Sequence, residues 1–67
     1  MRAFIKVPNI TEEQAASLER TLKAVDGVVD AEVFAEDAVA SVLYDIRVDA
    51  AALVAAIKQA GYDAQPL

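Results

Sequence analysis

The chain contains neither cysteine nor histidine, so it lacks the thiolate and imidazole donors on which soft-metal sites and most nucleophilic or proton-transfer centres depend. Carboxylates, hydroxyls and amides remain. Their densest group is Thr11-Glu12-Glu13-Gln14, whose oxygens suit a hard cation better than a soft one. Adjacent helical residues, however, point about 100° apart and do not close a shell around one ion. As local structure, the same four residues read as a capping box. Thr11 accepts from the amide three residues on while Gln14 reaches back, and the two glutamates complement the helix dipole. The other acidic residues are scattered as far as Asp63, with no sign of a carboxylate pair driven together for acid/base work. The chain therefore reads as a non-enzyme with no catalytic residue and no bound cofactor.

Sixty-seven residues leave room for one domain, 1–67, near the lower size at which packing alone supports a fold. No disulfide can reinforce it. Six basic residues against eleven acidic ones give a net charge of −5, which repels phosphate backbones and argues against nucleic acid as a partner. Alanine-rich stretches such as Val48 to Ile57 fall far short of the roughly 20 apolar residues of a membrane span. The opening Met1-Arg2-Ala3-Phe4-Ile5-Lys6 does not resemble a secretory signal, so no membrane insertion and a cytoplasmic location are expected.

The periodicities define the elements that position these residues. Arg2 to Val7 alternates, with Ala3, Ile5 and Val7 on one face and Arg2, Phe4 and Lys6 on the other, as in a half-buried strand. A helix follows Thr11, with Ala15, Leu18, Leu22 and Val25 as its apolar stripe and Asp26-Gly27 as its stop. Val28 to Ala35 returns to period two, with Val29, Ala31 and Val33 opposed to Asp30, Glu32 and Phe34. After Glu36-Asp37, Ala38 to Asp45 places Val39, Ser41 and Leu43 opposite Ala40, Val42 and Tyr44. Asp49 caps a second helix with Leu53, Ala56, Ile57 and Ala60 on its stripe, and Gly61 ends it. Tyr62 to Gln65 is expected as a short last strand. The order βαββαβ predicts an α+β ferredoxin-like sandwich, a four-stranded antiparallel sheet with two helices on one face.

Val25-Asp26-Gly27-Val28, Val42-Leu43-Tyr44-Asp45 and Ala56-Ile57-Lys58-Gln59-Ala60-Gly61-Tyr62-Asp63-Ala64 together resemble the heavy-metal-associated domain family over nearly the whole chain. That family includes copper chaperones, the periplasmic mercury carrier and N-terminal modules of metal-transporting P-type ATPases. Its loop before the first helix carries Gly-Met-Thr/Ser-Cys-x-x-Cys, whose two thiolates hold the metal. The matching stretch here is Pro8 to Ala15, with Ile10 in place of the methionine, Thr11 keeping the hydroxyl, and neither cysteine present. Tyr62 matches a tyrosine that packs against the metal loop in bacterial members. The resemblance thus implies a degenerate site, Thr11, Glu12, Glu13, Gln14 and Tyr62, with no thiolate ligand.

The sheet face away from the helices should carry Phe4, Val39 and Leu43, because the first and third strands are the central pair of this topology. Clustered apolar residues of this kind mark a contact surface. The expected function is a heavy-metal-associated-like protein-interaction module whose partner is another such domain or a second copy. The alternative is a metal carrier or sensor that uses oxygen ligands or shares a site with a partner. RNA-recognition motifs share the topology, but they stack bases on several exposed aromatics in a basic setting, which this acidic chain does not provide.

Overall fold

The computed structural model describes every residue from Met1 to Leu67. Strand β1 (Arg2–Lys6) leads through Pro8 and Asn9 into helix α1 (Glu12–Lys23). Strands β2 (Val28–Phe34) and β3 (Val39–Tyr44) form a hairpin, and helix α2 (Ala50–Gln59) connects it to β4 (Gln65–Pro66). The strands stand in the order β2-β3-β1-β4 and all neighbours are antiparallel. This is the ferredoxin-like sandwich anticipated from the order of elements.

Both helices begin where their caps dictate. Gln14 N donates to Thr11 Oγ1 at 3.2 Å and Thr11 N donates to Gln14 Oε1 at 3.0 Å, completing the capping box. At α2, Ala52 N donates to Asp49 Oδ1 at 2.8 Å. The end of α2 is a Schellman arrangement: Gly61 N donates to Lys58 O, Tyr62 N donates to Ile57 O, and Gly61 sits at φ +100°.

A single cluster of thirteen buried apolar residues fills the space between helices and sheet. Ile5 and Val7 from β1, Ala40 and Val42 from β3, Leu18 and Leu22 from α1, and Leu53 and Ile57 from α2 form most of it. Val54, which the apolar stripe of α2 did not include, packs against this cluster from partial exposure.

Four expectations from the periodicity are corrected. Val29 does not share a face with Ala31 and Val33. A bulge between Val28 and Asp30 sets it as the extra residue of β2 and leaves it 63% exposed. Val25 lies beyond the end of α1 and is only partly buried, because the helix stops at Lys23 with Ala24 as its cap. Ala60 is exposed as the C-cap of α2 and is no part of its buried stripe. The last strand is Gln65–Pro66 and not Tyr62 to Gln65, since the amide of Tyr62 is committed to closing α2.

The turn from β2 to β3 spans residues 35–38 without a glycine. It places Ala38 at φ +54°, and the Ala38 carbonyl accepts from Val7 N at 2.8 Å. The outward edges of β2 and of β1 are each partly covered. On β2, Glu19 of α1 reaches over so that Val33 N donates to Glu19 Oε2 at 2.9 Å, which occupies an edge donor that would otherwise invite another strand. On β1, the cover is β4, extended by Leu67 N donating to Phe4 O at 3.1 Å.

Candidate functional site

The loop between β1 and α1 turns through Asn9 at φ +63° and sends Ile10 into the core, where it is 7% exposed. Ile10 thus packs beneath the loop as part of the core cluster. Lys6 pairs with Val39 on one side and Gln65 on the other. This register brings the loop to the same end of the molecule as the 35–38 turn and the connection that carries Tyr62. Tyr62 is half-buried and packs against the core cluster.

The oxygen atoms at this end do not converge. The Thr11 hydroxyl and the Gln14 carboxamide are both engaged in the cap, and Glu12 and Glu13 are exposed on the first turn of α1. No group of three or more His, Cys, Asp or Glu side chains is arranged to hold a metal ion. Beside the loop, a shallow groove of about 350 Å³ between α1 and the hairpin is bordered by Glu12, Glu19, Glu36 and Asp37 over a floor that includes Ala15 and Val33. Glu19 is already committed to the edge of β2.

On the opposite face, the register defines a grid of outward side chains. Leu43 stands between Arg2 and Asp30, Ser41 between Phe4 and Glu32, and Val39 between Lys6 and Phe34. Phe4 is 51% exposed and has Val39 and Leu43, both half-buried, as its diagonal neighbours across β3. The three residues named from the sequence therefore share one face around a common centre. Ser41 occupies that centre and is 6% exposed, because Arg2 Nη1 donates to Ser41 Oγ at 2.6 Å and lays its stem across the sheet. Sequence reasoning missed Phe34, 44% exposed, and Leu67, 73% exposed. Alternation alone puts Phe34 on the outward face, whereas Leu67 is placed only by its hydrogen bond to β1.

A second groove, about 590 Å³ in volume, runs between β1 and the start of α2, where β4 is too short to follow β1 to its beginning. Eight of its ten lining residues are hydrophobic, among them Ala50, Val54, Tyr44 and Leu67. No helix is long and apolar enough to cross a membrane.

No protein-family model matches the chain, and no curated protein matches it. Among solved structures, it is similar to the CopZ metallochaperone at 28% identity and a TM-score of 0.88, covering 97% of this chain and 100% of that one. It is also similar to a copper binding domain from HMA7, a P-type ATPase, at 28% identity and a TM-score of 0.93, covering 98% and 92% of the two chains. Oxidized MerP from Ralstonia metallidurans CH34 shares the fold at 24% identity and a TM-score of 0.89, over 98% of this chain and 94% of that one. The chain therefore has the fold of the heavy-metal-associated domains among which its structural neighbours lie, assembled here without a single cysteine.

Proposed function

We propose that this chain is a heavy-metal-associated-type domain without a thiolate site that serves as a non-catalytic docking module in cytoplasmic metal handling, engaging another domain of its kind or a second copy. The observation that carries this reading is the open sheet face, where Phe4 stands half-exposed between Val39 and Leu43. Likeness along the full chain to a metallochaperone and to a P-type ATPase domain supports the metal-handling context. The absence of cysteine directs the reading away from carrying a soft ion, since oxygen donors do not replace thiolates for copper(I). A carrier or sensor using oxygens near Thr11 finds those oxygens committed to the helix cap.

The test is Leu43→Asp, assayed by heteronuclear NMR against the wild-type chain and against heavy-metal-associated domains of metal-transporting ATPases. A charge placed within an apolar contact should weaken association at least tenfold, about 1.4 kcal/mol, while the spectrum of the free protein remains folded. Unchanged association would sink the proposal. So would shifts confined to Glu12, Glu13, Gln14 and Tyr62 on adding copper(I), zinc or magnesium, which would instead establish the carrier or sensor.

A further inference from the structure

The outward face of the sheet is electrically balanced on a molecule of net charge −5. Its two acids, Asp30 and Glu32, stand on β2, and its two bases, Arg2 and Lys6, stand on β1. The central strand β3 separates the two columns. The whole negative excess therefore lies off this face, and copies that approach through other surfaces meet like charge.

We infer that this face binds a second copy of the chain, the two sheets stacked about a two-fold axis that runs parallel to the strands. The inference rests on the docking reading above and names its partner. Such an axis lays β3 of one copy over β1 of the other and keeps each residue at its own level along the strands. Asp30 and Glu32 then face the column of Arg2 and Lys6 of the second copy across the space between the sheets, offset sideways by one strand, twice by symmetry. The other face-to-face arrangement, with its axis across the strands, lays β2 over β2 and sets acid against acid. The order of charge across the sheet thus selects the first.

Val39 and Leu43 on β3 lie between the charged columns, Phe4 stands within the basic column and Phe34 ends the acidic one, and together they supply the apolar contact as the inner faces of two sheets pack in a sandwich. A molecule of 29 × 20 × 19 Å presents a face smaller than the roughly 800 Å² per partner of a standard interface, so the dimer is weak and concentration-dependent. Asp30 already lies 3.9 Å from Lys23 of its own chain, which makes Glu32 the cleaner acid to reverse.

The experiment is sedimentation equilibrium together with NMR across a concentration series at low salt, on the wild type, Glu32→Lys and Lys6→Glu. Both substituted side chains are exposed, and a spectrum of each variant verifies its fold. The wild type should dimerise with concentration-dependent shifts at Phe4, Phe34, Val39 and Leu43. Each reversal alone should weaken the dimer at least tenfold. An equimolar mixture of the two variants should recover wild-type affinity or better, because one chain then carries only bases and the other only acids at the paired positions. A monomer at every concentration would overturn the inference, as would a dimer indifferent to both reversals or a mixture no tighter than its components. If the chain stays monomeric while an ATPase domain still shifts Phe4 and Leu43, self-association fails and the docking reading stands. Silence towards both removes both.

Discussion

Arg47 folds back onto Asp45 through its backbone and its side chain together. Arg47 N donates to Asp45 Oδ1 at 2.9 Å, and the guanidinium donates to both carboxylate oxygens, its shortest bond being Nη2 to Oδ2 at 2.8 Å. The side-chain hydrogen bonds from Arg47, followed by the backbone bond, lower the Asp45 carboxyl from 3.8 to about 2. Because the folded value lies below the unfolded one, the charged pair favours the folded state above the ordinary carboxylate range. That contribution is lost as the pH falls from about 4 through about 2. Both side chains are well exposed, so solvent screens the pair and the effect on stability is small. The sharper readout is the titration itself. Carbon-detected NMR should follow Asp45 to a midpoint near 2 in the wild type, and Arg47→Ala should return it towards 3.8.

At the scale of elements, the two glycines do different work although both have φ near +100°. A Cβ at Gly61 would meet nothing within 4 Å, so only the left-handed conformation resists substitution there. A Cβ at Gly27 would also lie 2.9 Å from Val48 Cγ1 and 3.1 Å from Arg47 Cβ, where the turn after β3 closes over it and Asp45 N donates to Gly27 O. Gly61→Ala should therefore cost about 1 kcal/mol, the backbone strain alone. Gly27→Ala should cost roughly 2–4 kcal/mol, because steric crowding adds to the same strain. Urea denaturation with unchanged m-values measures both, and equal losses would refute the assignment of the extra contact.

The same elements show what the sequence made legible. Thr11 with Gln14, and Asp49 alone, announced their helices because a cap is a local hydrogen bond between residues three apart. The alternation in β1 and β3 placed Ile5, Ala40, Val42 and Phe4 on their proper sides for an equally local reason. Val29 escaped because a bulge is a mismatch between two strands and leaves no mark in either alone. The start of β4 escaped because Tyr62 had two uses for its amide, and the helix end took it. Phe4, Val39 and Leu43 could be grouped once the topology was known, whereas Leu67 joined them only through a pairing no periodicity encodes. That Thr11 and Gln14 satisfy each other was written in the capping box itself.

At the scale of the whole molecule, stability rests on one core of thirteen residues with neither disulfide nor thiolate metal site to reinforce it. A ligand that binds only the folded chain adds stability by mass action, about 2.7 kcal/mol at a hundredfold excess over its dissociation constant. For this chain, saturating copper(I) should leave the urea midpoint where it was. A clear upward shift would reveal a site that the carboxylate and amide geometry does not provide. Measured at low and high protein concentration, the same midpoint should rise only slightly, as a weak dimer requires.

The hydrogen bond from Leu67 to Phe4 carries a topological consequence. Leu67 lies opposite a residue only three positions from Met1, on the neighbouring strand, and β4 runs in the opposite direction to β1. The two ends of the fold thus leave from one edge of the sheet, separated by a distance on the order of 10 Å. A few flexible residues suffice to bridge that gap. The fold is therefore suited to circular permutation, to insertion as a bead within another protein's loop, and to tandem repetition with short spacers, with its outward sheet face left uncovered in each case.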